Sequence, residues 1–193
     1  LPARQDCTAI VNVLPELPAA TQIVMLGALA ERKELAAKPA VARLAQTATD
    51  LEARRTAWEA LGVLGDASDI RFLAQAAAAE DEPTRTLARA SLFKLSGDDV
   101  DAAMEASLEA AGPEARAELI QSLAGRSVTK AKASFRRCLG DDAEAVRMAA
   151  AQGLTGLGSE EDASALVTYF KSAKTDAERE IAERALSAIC ARY

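Results

Sequence analysis

Residues 142–158 read Asp-Ala-Glu-Ala-Val-Arg-Met-Ala-Ala-Ala-Gln-Gly-Leu-Thr-Gly-Leu-Gly, with Arg147 seven positions before Leu154. The same Arg-to-Leu step occurs at Arg54/Leu61, Arg85/Leu92, Arg116/Leu123 and Arg179/Leu186, with a degenerate copy at Gln22/Leu29. Successive frames lie 31 or 32 residues apart, and self-similarity at a fixed period of this size marks a repeat architecture. Three positions after the Arg stand Ala57, Ala88, Leu119, Ala150 and Ala182; six after stand Ala60, Ser91, Ser122, Gly153 and Ala185. Leu64, Leu95, Leu157 and Ile189 follow at ten. Offsets of three, six, seven and ten share one helical stripe, so each frame predicts a helix with a narrow face of small residues and one leucine.

The flanks add boundaries. Asp50, Asp81, Asp142 and Asp176 precede the Arg where an N-cap belongs, and Gly112-Pro113 does the same once. Gly65, Gly97, Gly125 and Gly158 stand where a left-handed C-cap would end the helix. A second apolar-periodic segment fills each gap. The reading is twelve helices over 3–14, 18–31, 36–47, 51–64, 68–79, 82–95, 99–111, 113–125, 128–139, 142–157, 161–172 and 175–191. Each unit is helix A, a tight turn and helix B, and one hairpin buries its apolar faces only by stacking on the next. The expected fold is an all-α solenoid of about six antiparallel hairpins, one domain over 1–193.

The pattern Asp-x-x-x-Arg-x-x-Ala-x-x-Ala-Leu-Gly-x-Leu-Gly-Asp at residues 50–66, and its partner at 142–158, resemble the short bacterial HEAT repeat, the phycobilisome-lyase type, which belongs to the wider armadillo-like superhelices. The resemblance covers nearly the whole chain and is poorest at 1–33 and 112–126. It implies that the B helices line a concave side. It also implies that the repeated arginines (Arg54, Arg85, Arg116, Arg147, Arg179) are structural, each pairing with an acid of its own or the next turn. The repeated leucines (Leu61, Leu92, Leu123, Leu154, Leu186) are core. The repeat residues specify fold and leave function to sites grafted on it.

Composition narrows the function. The chain has 193 residues, a net charge of −6 and no histidine. The acidic balance argues against a nucleic-acid binder or an anionic membrane surface. The lack of histidine removes the commonest general base and most transition-metal sites. No apolar run is long enough to span a bilayer. Gly153, Gly156 and Gly158 end a helix rather than open one, so they do not cradle phosphate. Cys7, Cys138 and Cys190 have no ligand spacing and read as reduced core residues. The clusters Asp98/Asp99/Asp101 and Glu160/Glu161/Asp162 read as helix-start acids. No cofactor or metal is expected. The chain opens on Leu1 without a leader pattern, and is read as a piece of a larger multidomain protein whose compartment is not given.

Three irregular features remain. The B-helix face predicts a binding surface from Arg55, Trp58, Glu59, Arg89, Phe93, Gln121 and Gln152, with Trp58 either a binding anchor or a packing residue. Arg126, Lys130, Lys132, Arg136 and Arg137 form a basic cluster with no acid among them, either a partner site or a solvated A-helix face. The first hairpin (Ile10, Val11, Val13, Leu14, Leu17, Ile23, Val24, Met25, Leu26) is more apolar than one buried stripe requires, so an upstream domain is expected to cover it. By contrast Glu180, Glu183, Arg184 and Arg192 give the last helix a polar outer face. Together these favour a non-enzymatic protein–protein scaffold whose partner is a protein or a neighbouring domain. The alternatives are an accessory module of a larger bacterial enzyme (carbohydrate-active or cytochrome-type) and, more remotely, bilin lyase-like activity.

Overall fold

The computed structural model describes residues 8–79 and 81–192. Among these residues there are twelve α-helices and no strand: α1 (Thr8–Val13), α2 (Ala19–Glu31), α3 (Lys38–Thr47), α4 (Leu51–Leu64), α5 (Ile70–Ala77), α6 (Glu82–Lys94), α7 (Val100–Ser107), α8 (Pro113–Gly125), α9 (Lys132–Cys138), α10 (Glu144–Leu157), α11 (Ala163–Ser172) and α12 (Asp176–Arg192). Odd-numbered helices are the A helices and even-numbered the B helices. The molecule is an all-α solenoid of six antiparallel hairpins. The predicted start of the first helix lies outside the described residues.

Four A helices begin two to four residues later than the periodicity predicts, because a 3-10 turn precedes each: Leu35–Ala37, Ala67–Asp69, Thr129–Ala131 and Glu160–Asp162. Two of these turns carry capping boxes, Asp66 with Asp69 and Ser159 with Asp162. Asp162 is therefore a buried cap, as expected of that acid cluster. Among the predicted N-caps of the B helices, Asp50 accepts from the Ala53 amide at 2.9 Å and Asp81 from the Thr84 amide at 2.9 Å. Asp142 and Asp176 do not cap. Thr175 takes the role for α12, accepting from the Glu178 amide at 3.2 Å, while Asp141 only closes the turn before α10, accepting from the Ala143 amide at 2.9 Å.

The core follows the repeat frame. Ala57, Ala88, Ala150 and Ala182 are fully buried, as are Leu61, Leu92, Leu123 and Leu154; Leu186 in the last copy is half-buried. At four of the five junctions the B helices pack directly on one another (α2/α4, α4/α6, α8/α10, α10/α12), while the described A neighbours meet far less.

The expected left-handed glycine caps are absent at Gly65 and Gly158, whose φ values are −70° and −61°. Gly125 lies inside α8, and only Gly97 has a positive φ, 144°. The glycines serve a different end. A Cβ on Gly65 would stand 2.7 Å from Leu95 Cδ2, and one on Gly158 2.9 Å from Ile189 Cδ1. Leu95 and Ile189 are the tenth-offset residues of the next copy. Each glycine is thus a socket for the following hairpin's apolar plug. Gly158→Ala is expected to lower stability by about 1–3 kcal/mol, because the plug or the preceding turn must shift. Gly156→Ala, two residues away inside α10 with open space around it, is expected to be neutral or stabilising by up to about 1 kcal/mol. Urea titration of both variants separates the two effects.

Candidate interaction surface

The repeated arginine stands in the first turn of helix B and reaches back to the carbonyls of the A–B turn. Arg116 donates to Ala111 O (2.9 Å), and Arg147 to Asp141 O (2.8 Å) and Asp142 O (2.7 Å). Gln22, the degenerate copy, does the same without charge, donating to Leu14 O (3.3 Å) and Pro15 O (3.2 Å). These bonds satisfy carbonyls that the ending helix leaves open. The arginines then pair with acids: Arg85 with Glu82, Arg116 with Asp141, Arg147 with Glu178 (2.6 Å) and Arg179 with Asp176 (2.6 Å). Four of the five repeated arginines thus pair with an acid, and the Arg147–Glu178 pair is buried, with Glu178 0% and Arg147 7% accessible.

Burial by itself would raise the Glu178 carboxyl. The Arg147 bond and the amides of Lys174 (2.6 Å) and Thr175 (3.2 Å) outweigh it and hold the group below its ordinary value of 4.5. Asp162 behaves alike: burial opposes, but the Ser159 amide, Arg136 and Lys132 keep it below 3.8. Folded values below the unfolded ones mean that this stabilisation is complete above about pH 4.5 and is lost as the pH falls through the lower, folded values. The Tm is therefore expected to drop on acidification below about pH 4, and Glu178→Gln is expected to flatten that slope. Thermal melts of both proteins from neutral pH to pH 3 measure it.

The basic cluster is spent on neighbours. Arg126 donates to Asp101 (2.6 Å) and to the carbonyls of Phe93 and Leu95 (both 2.7 Å). Arg136 bonds Asp162 at 2.5 Å, Lys132 bonds Ser159 Oγ at 2.8 Å, and Arg137 faces Glu109 at 3.5 Å. Of these five bases, only Lys130 is exposed without an ion pair among the described residues. The patch is a set of stitches between hairpins rather than a free cationic surface. Local sequence shows no acid beside these bases because their partners lie about one repeat away.

The B-helix face divides differently from the expectation. Trp58 is not on the surface. It is 1% exposed and stacks on Phe72, with ring centroids 5.4 Å apart and planes 7° from parallel. Arg55 and Glu59 are exposed and pair with each other (3.4 Å), Arg55 also with Glu52 (2.6 Å). Arg89 is committed to Glu118 (2.7 Å). Phe93, 50% exposed, covers Gly125. Gln121 and Gln152, at the same offset in α8 and α10, are exposed and make no side-chain hydrogen bond among the described residues. They line two adjoining depressions of about 460 and 470 Å³, floored by Ala117, Ala149, Gly125, Gly153 and Gly156. The structure brings Arg89, Gln121 and Gln152 together here and removes Trp58.

Two site acids escaped the sequence reading, Glu118 and Glu178. The signal was available, since each occupies a frame position where other copies carry a neutral residue: Leu87 and Ala149 for Glu118, Ala53 and Val146 for Glu178. Of the cysteines, Cys138 is half-buried, its thiol pushed up by burial, while Cys190 is exposed rather than core. Cys7 lies outside the described residues. Among these residues no cluster of three His, Cys, Asp or Glu is placed to hold a metal ion, and no helix is long and apolar enough to cross a membrane.

Fold and surface together define the class: an α-solenoid with Gln121 and Gln152 exposed on its B-helix face. Residues 100–187, from the start of α7 into α12, match the model of the HEAT repeats family. No curated protein matches the chain. Similar solved structures include an engineered protein (18% identity, 97% of each chain, TM-score 0.48). Another is human deoxyhypusine hydroxylase in complex with glycerol (17% identity, 94% of this chain and 83% of that chain, TM-score 0.47).

Proposed function

We propose that this chain is a non-catalytic protein–protein interaction scaffold that binds its partner on the B-helix face around α8 and α10. The observation that carries this reading is the pair Gln121 and Gln152: exposed, equivalent in register, unused by the fold, and set over a floor of small residues. A side-chain amide offers donors and an acceptor to a partner's polar groups without a buried charge to compensate. The partner is a protein or a neighbouring domain, in keeping with the net charge of −6, which disfavours nucleic acid and anionic lipid. The 31-residue unit supports assignment to the short, phycobilisome-lyase-type HEAT form. The first hairpin supports an upstream domain as a second contact, because Ile10, Val13 and Val24 are 40, 46 and 65% exposed.

Gln121→Arg/Gln152→Arg is expected to weaken capture of the partner at least tenfold, about 1.4 kcal/mol, with helicity unchanged. Lys130→Glu on the A side is expected to leave capture intact. Affinity capture with quantitation of the same bound protein tests both variants. Loss with Lys130→Glu and retention with the double variant would overturn the assignment of the face.

A further inference from the structure

The six hairpins are not equivalent, and their differences recur every third copy. At the eleventh offset, which is Gly in the second and fifth copies, the first and fourth carry Lys33 and Ser127, the only non-glycine residues with positive φ (51° and 60°) among those described. Lys38 and Lys132 both open an A helix and both bond the next capping box, Asp66/Asp69 and Ser159/Asp162. The 3-10 turns before α3 and α5 recur before α9 and α11. The chain is thus built of two three-hairpin blocks, α1–α6 and α7–α12.

The junction between the blocks, α6 against α8, is unlike every other. These two helices pack less closely than any other neighbouring B pair. At the fourth offset, where Trp58, Ile120 and Ala151 are buried, α6 has Arg89; at the second, where α10 has buried Ala149, α8 has Glu118. Arg89 Nε donates to Glu118 Oε2 at 2.7 Å, with a second bond from Nη2 to Oε1. Glu118 is 6% exposed, but the Arg89 side chain is 44% exposed. Depressions flank the junction on both sides. One, about 460 Å³, opens on the B face; the other, about 380 Å³, lies between α5, α7 and α8 beside Ala74, Ser107 and Leu119. Beyond the packing of α5 on α7 and α8 and of Phe93 over Gly125, what spans the junction is polar: the Arg89–Glu118 pair and the bonds of Arg126 to the Phe93 and Leu95 carbonyls. A half-hydrated ion pair trades its bonds for water at small net cost, whereas separating interdigitated apolar faces exposes area that water penalises.

We propose that the solenoid moves as two rigid three-hairpin bodies about the α6–α8 junction, and that the Arg89–Glu118 pair is the clasp that sets their angle. This does not depend on which face binds a partner. Opening the clasp widens the B-face depression beside Gln121.

Pulsed dipolar spectroscopy on the whole chain tests it, with Cys7, Cys138 and Cys190 replaced and spin labels on exposed A-helix sites. The pair Gln46/Ala106 spans two repeats across the junction, and Ala106/Thr168 spans two repeats inside the second block. The cross-junction distance distribution is expected to be about twice as broad as the control. Arg89→Leu/Glu118→Leu, which restores apolar contact, is expected to narrow it toward the control, and Glu118→Gln to broaden it further. A cross-junction distribution no broader than the control in otherwise unmodified protein overturns the two-body motion. A broad distribution that the leucine pair leaves unchanged overturns the clasp.

Discussion

Trp58→Ala is expected to lower the free energy of unfolding by about 3–5 kcal/mol, the range for truncating a large buried ring. The indole is 1% exposed and lies flat against Phe72 of α5, so its removal empties the space between α4 and that helix. Its Nε1 has no hydrogen-bond partner among the described residues, so the loss is one of packing and cavity alone. Trp58→Phe keeps most of the ring and removes the unpartnered N–H, and is expected to cost much less. Chemical denaturation measures both, and the intrinsic fluorescence of this single Trp should be blue-shifted in the folded state. A cost below about 1 kcal/mol for Trp58→Ala would place the ring outside the core. Any effect of that variant on partner binding is then read as a folding effect.

Glu178→Ala should be about as severe, roughly 3–5 kcal/mol, for a different reason. It leaves the Arg147 guanidinium buried between α10 and α12 with no countercharge, and it orphans the amides of Lys174 and Thr175. Because each hairpin contacts only its neighbours, the damage should stay local. Hydrogen exchange is expected to accelerate in α11 and α12 while α4 keeps its protection. Arg147→Met/Glu178→Leu, which removes both charges, is expected to recover much of the loss. If it is no more stable than Glu178→Ala, the penalty does not come from an unpaired buried charge.

Such pairs mark the boundary of what the sequence disclosed. The helices, their order and the leucine stripe were legible because periodicity is local and six copies reinforce one another. The 3-10 turns before α3, α5, α9 and α11 were absorbed into predicted helices, since apolar spacing does not distinguish the two. Trp58 stayed open between anchor and packing because its offset borders the buried stripe, and its stacking on Phe72 places it in the core. The cluster from Arg126 to Arg137 looked unopposed because Asp101 lies on the opposite helix of Arg126's own hairpin and Glu109 and Asp162 lie in neighbouring copies. Contacts one repeat away leave no trace in a local pattern. Gln121 and Gln152 were marked from the sequence by their offset alone; that they are exposed and unengaged needed the structure.

The socket at Gly65 and its plug at Leu95 belong to different hairpins, as do Gly158 and Ile189. Parted at their sequence boundaries, the second and third hairpins would leave a vacant notch on one and a bare aliphatic knob on the other, and so would the fifth and sixth. Shortening or lengthening this chain by whole hairpins is therefore expected to do best where no notch is parted from its knob. The natural cutting points are the ends of the three-hairpin blocks, where no such joint is broken.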